Sequence, residues 1–561
     1  MSTPLPRIAA DGRGARIGLI ALLALGQACA AAWGAVAMRD VFAALHAADG
    51  HMPWGALGAI ALAGIAIASL KLIERTQAER VGQAYAASLR SAIYRHLSRV
   101  AAPELARRRA GGLALRFVGD LSAIRGWVSQ GIARLVSAAI VLPIATGVLF
   151  WLDTGLGLAI LPSLLAGLVL MTLAGAGLGP AHDRLRRLRA RIAADMSERI
   201  AHAPQLHVMG RSALELTRLE RNTATLIDAA AARIRRSSCV RALPDAISGT
   251  AAAALLLAAL HDALPAATAA GALAALALMI QPLRELAAVW DRHRAWQVAR
   301  HRCLQLLATP DLNRRAAAVP ERFGASPPVL SFERVALAHN DRRFDAQAAA
   351  GQRIAIVGAT AAGKSSLLNL AAGLDRPARG RVRIDGIAPT DLPLAQRRRV
   401  LAYVGPQSPI LAGSLRRALT LGLAQRPGDD ALQTAALRFG LNALLERLGG
   451  LDGRVAEGGR NLSSGERGRL LLARAALAAP RLLLIDATDT LLDPKGRYAL
   501  RDLLREIDAT VLLVTQDIAL VCEMDAVWLM RNGRVVESGP PTDLLAGNGP
   551  TASFFRLRTA A

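Results

Sequence analysis

Six stretches long enough to cross a lipid bilayer, about 20 apolar residues each, occur in series before residue 290 and constrain the fold more than any other feature of the chain. They run at Ile17 to Met38, Trp54 to Ile73, Ile132 to Leu152, Leu156 to Leu178, Leu243 to Leu260, and Ala263 to Leu283. The fifth is the weakest, with Asp245 and Ser248 near its start. A single such run could be a buried helix of a soluble domain, but six in series separated by polar gaps describe a membrane-spanning helical domain.

The gaps are unequal. Arg39 to Pro53, Asp153 to Gly155, and His261 to Asp262 are short, whereas Glu74 to Gly131 and Gly179 to Ala242 each run about 60 residues. The chain combines 53% hydrophobic residues and a mean hydropathy of +0.31 with a formal net charge of +25. That balance fits either a membrane protein with basic loops or a basic nucleic-acid binder. The arginines decide between them. Arg184, Arg186, Arg187, Arg189, Arg191, Arg233, Arg235 and Arg236 crowd into a long gap, and the short gaps carry almost none. By the positive-inside rule the N-terminus and long gaps face the cytoplasm, and no nucleic-acid partner is expected. Both long gaps keep helical periodicity, so the spans are expected to continue as cytoplasmic hairpins, with docking elements near Phe117 to Ile124 and Ala201 to Arg211. Arg7, Arg13 and Arg16 precede the first span with no A-x-A site after a short apolar core, which reads as a retained first helix rather than a cleaved leader. Cys29, Cys239, Cys303 and Cys522 are too scattered for a zinc site or a disulfide framework.

Residues 308–328, with Pro310, Pro320, Pro327 and Pro328, read as a linker, and an α/β pattern occupies 329–561. Within it, Gly358-Ala359-Thr360-Ala361-Ala362-Gly363-Lys364-Ser365 follows the apolar run Ile354 to Val357 and precedes Ser366-Leu367-Leu368. Strand, glycine loop and helix form the context in which G-x-x-x-x-G-K-S holds phosphate. Backbone N–H groups face the phosphates, Lys364 adds a point charge and Ser365 offers a hydroxyl to Mg²⁺. A second strand, Leu482 to Ile485, ends in Asp486, placed to hold Mg²⁺ through water.

Between these motifs lies Asn461-Leu462-Ser463-Ser464-Gly465-Glu466-Arg467, and with it the chain resembles an ABC transporter in the half-transporter arrangement of type I exporters. Gln281-Pro282-Leu283 and Arg302-Cys303-Leu304 resemble the usual exit from the sixth span. The resemblance implies an all-α membrane domain (1–307) of six helices with long cytoplasmic extensions. An α/β P-loop NTPase domain with a helical signature subdomain follows it. It also implies a bacterial inner-membrane protein, multi-pass, whose nucleotide domain is cytoplasmic. ATP and Mg are the implied cofactors, bound by Gly358 to Ser366, Gln407 (the Q-loop glutamine) and Asp486, with Ser365, Gln407 and Asp486 toward Mg. Ser463, Ser464, Gly465 and Glu466 match the signature that completes a partner's site. Glu457 and Gly459 resemble the segment before it, and Asp493 the end of the D-loop.

Three positions depart from the family. Ala487 follows Asp486 where a glutamate normally polarises water, Gln516 stands at the switch-histidine position, and His339 replaces the aromatic that stacks on adenine. Loss of a general base typically costs about 10²–10⁴ in rate. An uncharged glutamine weakens charge stabilisation further. The chain's own site is therefore expected to bind ATP and hydrolyse it poorly, with Asp489 badly placed to substitute. A working transporter then requires a heterodimer whose partner half-transporter carries intact motifs. A nucleotide-gated membrane regulator, a slow homodimeric exporter and an importer subunit are the competing readings. The transported substrate is not legible in spans dominated by Ala, Leu, Gly and Ile, where Gln27 is among the few polar residues.

Overall fold

A computed structural model describes residues 5–47, 52–107, 116–312, 325–337, 342–486 and 492–559. The chain divides into two compact units: 1–98 with 107–309, and 99–106 with 310–561.

The first unit is helical. Its long helices are α1 (Arg13–Ala47) and α2 (Trp54–Leu97). The short α3 (Ala102–Ala106) follows and belongs to the second unit. A π-helical turn (Arg116–Asp120), α4 (Leu121–Gly126), a second π turn (Trp127–Ile132) and α5 (Ala133–Leu152) then form one continuous run. After it come α6 (Thr154–Ala176), α7 (Gly179–Ala201), α8 (Ala203–Val208), α9 (Ser212–His261) and α10 (Ala266–Leu307). Among the described residues, six helical segments are long and apolar enough to cross a membrane. In lipid, apolar residues gain little by facing another helix, so close packing of small side chains holds the bundle. Ala24, Ala28, Ala31 and Ala35 form the buried stripe of α1, while Leu22, Leu25 and Trp33 of the same helix stay exposed. A Cβ built on Gly34 would stand 3.3 Å from that of Ala63, so α1 and α2 approach closely. Asp153 alone separates α5 from α6; its carboxylate accepts from Gly155 N (2.8 Å) and Leu156 N (3.1 Å), capping two otherwise orphan donors. One turn beyond Pro244, which lies inside α9, the Ser248 hydroxyl donates back to the Pro244 carbonyl at 2.7 Å.

Buried charged and polar side chains tie the long helices to one another. Buried Asp291 on α10 accepts from Ser237 Oγ (2.8 Å) and Arg241 (2.7 Å) of α9, and lies 3.0 Å from His182 Nε2 of α7. Gln27 donates to buried Glu74 at 2.6 Å, giving that polar residue of the first span a structural partner.

The first docking element is not where the periodicity placed it. Phe117 to Ile124 lies inside the continuous run that feeds α5. The break comes earlier, at Ser98 after α2 and at the short α3 containing Pro103. The second expected element coincides with α8, none of whose residues is buried.

The second unit is built on a six-stranded sheet in the order β11-β10-β3-β9-β8-β5. These strands are β3 (Arg353–Gly358), β5 (Leu401–Val404), β8 (Leu482–Ile485), β9 (Thr510–Val514), β10 (Ala526–Arg531) and β11 (Arg534–Gly539). All neighbours are parallel except β10 and β11. Continuous apolar runs such as Leu482 to Ile485, buried on both faces, suit such strands. An antiparallel sheet, β2-β1-β4, joins β1 (Leu330–Ala336), β2 (Phe344–Ala348) and β4 (Arg379–Ile384), and a small β6-β7 pair (Gly413–Ser414, Arg454–Val455) completes the strands. The segment Arg99–Ala106 packs here: Leu312 N donates to Arg99 O (2.8 Å) and Ala102 N to Leu374 O (2.9 Å).

Candidate functional site

Parallel pairing brings the C-terminal ends of β3, β8 and β9 to one edge, because Ile356 stands opposite Val514 and Ile485 opposite Leu513. Loops at that edge of an open α/β sheet are where ligands bind. The loop after β3 runs from Gly358 to Gly363 and opens into α11 (Lys364–Ala371). Its glycines are dictated by geometry. Gly358 has φ +147°, and a Cβ there would meet Met530 O at 2.4 Å; Gly363 has φ +99°, with Leu337 Cδ1 at 2.6 Å. Ala361 takes φ +62°, a left-handed conformation that costs a non-glycine residue about 1 kcal/mol.

Lys364 Nζ donates to Gly358 O and Ala359 O, both at 2.7 Å, and so sits across the loop. Gln516 Nε2 donates to the same Gly358 carbonyl at 3.4 Å. Ser365 and Ser366 are exposed at the start of α11, as are Ala359, Thr360 and Ala361, whereas Ala362 is buried beneath the loop. A concave loop of backbone N–H groups at a helix N-terminus, beside one ammonium, suits an anionic oxygen chain.

Asp486 is buried at the end of β8, where its N–H donates to Val404 O at 2.7 Å and its carboxylate accepts from Tyr403 Oη at 3.4 Å. Burial, then the adjacent Asp486 charge, pushes the Tyr403 phenol above its ordinary value, so it remains a donor to that carboxylate. Tyr403 is a site residue that motif reading passed over. Gln407 is exposed in an adjoining groove of about 460 Å³ that also includes Ala102, Asn369, Tyr403 and Arg474.

The segment Ser463 to Glu466 forms the N-terminus of α12 (Ser464–Ala478). Ser463 Oγ accepts from Glu466 N at 3.1 Å, and Glu466 Oε2 accepts from Ser463 N at 2.8 Å, a reciprocal capping box. Arg447, which motif reading also missed, donates from one nitrogen to both Glu466 oxygens at 2.9 Å. Burial alone would raise the Glu466 pKa, but the Ser463 N–H and Arg447 hold it below the usual glutamate range. Gly465 is packed so tightly that a Cβ would meet Asp493 Oδ2 at 2.5 Å. Asp493 in turn caps α13 (Pro494–Glu506), accepting from Gly496 N at 2.8 Å. Ser464 is exposed. His339, Ala487 and Asp489 lie outside the described residues.

Two family models match the chain: the ABC transporter transmembrane region over residues 17–263 and the ABC transporter model over 342–489, together more than two thirds of its length. The chain belongs to the ABC transporter family. Among curated members it is 33% identical over 303 residues to the mycobactin import ATP-binding/permease protein IrtB of Mycolicibacterium thermoresistibile, covering 52% of this chain and 51% of that protein. It is 32% identical over 229 residues to the beta-(1-->2)glucan export ATP-binding/permease protein NdvA of Rhizobium meliloti, covering 40% and 39%. The alignments thus span about half or less of the length of these ABC relatives. The fold resembles that of a bacterial Atm1-family ABC exporter with ATP bound, with a TM-score of 0.85, 21% identity and 99% of each chain covered. The architecture of this ABC chain is therefore six membrane helices followed by a nucleotide-binding domain of the Atm1-family exporter fold.

Proposed function

We propose that this chain is one subunit of an ATP-driven ABC exporter in the bacterial inner membrane, that it holds MgATP without hydrolysing it efficiently, and that its partner supplies the competent catalytic residues. The residues present fit the nucleotide. The Gly358 to Gly363 loop admits no side chain at either end, Lys364 is poised over it, and exposed Ser365 and Ser366 open α11. Ser365, Asp486 and Gln407 are hard oxygen donors of the kind Mg²⁺ takes. The metal neutralises charge on the phosphates when bound; this chain's residues position it. His339 is assigned to the adenine.

The sequence carries the impairment: the two positions that would bring a water-polarising glutamate and a switch histidine hold alanine and glutamine. Ala487 follows Asp486, and Gln516 donates its amide to the Gly358 carbonyl. A neutral amide can hold the loop but carries no charge. The Ser463, Ser464, Gly465 and Glu466 turn is correspondingly assigned to the partner's nucleotide. The direction and identity of the cargo stay separate from this reading, since IrtB is named for import and NdvA for export.

The purified chain in lipid nanodiscs tests the proposal. A fluorescent ATP analogue is expected to bind in a Lys364-dependent way, with ATP turnover near background. Restoring the missing groups (A487E with Q516H) is expected to raise turnover by about 10² or more. Brisk hydrolysis by the unaltered chain alone would overturn it.

A further inference from the structure

The membrane unit contains a polar cavity of about 320 Å³, lined by Lys71, Glu74, Arg75 and Glu79 of α2, Ser129 and Gln130 of the second π turn, Arg134 of α5 and Glu285 of α10. Its volume is that of a small-ligand site. Glu74, Arg134 and Glu285 each stand about 18–20 residues from the end of their helix at the short connections, or ~30 Å along the axis. That is the thickness of the hydrocarbon core, so the cavity lies at the basic, cytoplasmic boundary of the membrane.

Two observations mark it as a site rather than a packing gap. The Ser129 hydroxyl, in a residue 3% exposed, has no hydrogen-bond partner. A buried unsatisfied hydroxyl is uncommon and calls for a missing partner. The residue also sits in a π-helical turn, a distortion that recurs at functional sites.

The charges define the ligand. Glu79 is taken by Arg125 at 2.7 Å, and Glu74 by Gln27. Glu285 accepts from Gln281 at 2.9 Å and lies 3.7 and 3.8 Å from Lys71 and Arg75, too far for a direct hydrogen bond with either. Among the described residues Arg134 makes no hydrogen bond or ion pair. Three cations, Lys71, Arg75 and Arg134, share the cavity with three carboxylates, of which Glu79 is already paired by Arg125 from outside the lining, and a donor hydroxyl faces no acceptor.

The geometry points to a binding site for a phosphate oxyanion, held by Arg134 with Lys71 and Arg75 and accepting a hydrogen bond from Ser129. Basic pockets between membrane helices on the cytoplasmic side suit anionic headgroups, and a guanidinium matches phosphate geometry. The same chemistry is offered by a lipid phosphodiester and by free phosphate.

The test uses the full chain in dodecyl maltoside carrying K364A, which silences the phosphate loop, and follows the unfolding midpoint by tryptophan fluorescence. Phosphatidylglycerol added to the micelles, or inorganic phosphate, is expected to raise the midpoint by several degrees, while phosphatidylcholine at equal load raises it less. A response to phosphatidylglycerol alone assigns the lipid as the source, and a response to inorganic phosphate assigns a soluble ligand. R134Q is expected to weaken the response about tenfold or more in ligand concentration, the loss of one charge-assisted hydrogen bond. R90Q, which removes the same charge from the exposed surface, is expected to leave it intact. S129A keeps every charge; it should raise the ligand-free midpoint slightly yet shrink the response, a pairing that a folding defect would not produce. No response to either oxyanion, or an equal response in R134Q, S129A and the parent, overturns the site.

Discussion

The tight contact between the signature turn and the next motif predicts a specific, reversible defect. In G465A the new Cβ would lie 2.5 Å from Asp493 Oδ2 and 2.7 Å from its Cγ, well inside contact distance. The Asp493 side chain is fixed by Gly496 N at 2.8 Å and faces Arg469 at 3.6 Å, so it yields only by giving up the cap of α13. Loss of that cap costs about 1 kcal/mol. Residual overpacking adds about 1–3 kcal/mol. For a nucleotide-binding domain of this size, a total near 2–4 kcal/mol corresponds to a fall of about 5–10 °C in the midpoint. Differential scanning fluorimetry of the full chain, with and without the change, reads this directly. The decisive arm is the double variant. D493A alone loses the cap, but it also removes the oxygen that the new methyl would strike. G465A/D493A is therefore expected to be close to D493A alone rather than to the sum of the two single changes. Strict additivity, or a G465A midpoint equal to the parent's, would refute the packing argument.

Three further outcomes follow from the same structure. E466Q keeps an acceptor for the Ser463 N–H but loses the charge facing Arg447, and is expected to cost about 0.5–1 kcal/mol at neutral pH. Because the folded carboxyl titrates below the ordinary value near ~4.3, its contribution is present above that pH and lost as the pH falls through the lower folded value. The difference between E466Q and the parent should therefore fade in acid, and a difference constant with pH would contradict the assignment. In the membrane unit, a Cβ on Gly167 would meet Ile247 Cγ1 at 2.2 Å, so G167A should lower the midpoint, and I247A in the same chain should recover part of the loss. Finally, K364A is expected to weaken binding of a fluorescent ATP analogue by tenfold or more, because the ammonium it removes lies across the phosphate loop against the Gly358 and Ala359 carbonyls.

What the sequence disclosed follows physical locality. A run such as Ile17 to Met38 is legible because crossing lipid needs length and apolarity, not a partner. The Gly358 to Ser365 loop is legible because strand, loop and helix are contiguous. The hairpin tip was misplaced because helical periodicity persists through Phe117 to Ile124, and only the earlier break around Pro103 marks the turn. The pairs that complete the site are non-local. Tyr403 reaches Asp486 across 83 positions, and Arg447 reaches Glu466 across 19, so neither follows from spacing alone. The hydroxyl of Ser129 was invisible for a further reason: its lack of a partner is a property of the folded surroundings.

The short stretch Arg99–Ala106 has a consequence for dissection of the chain. It is encoded between the second and third spans, yet its backbone is stitched to Leu312 and Leu374. The nucleotide-binding module is therefore not a contiguous stretch of gene. A fragment begun at Pro310 would leave Leu312 N and Leu374 O without their mates and uncover the groove beside Ala102. Any graft of this module onto another membrane domain has to carry two separate pieces of the chain, and a single cut at the linker does not deliver an intact half.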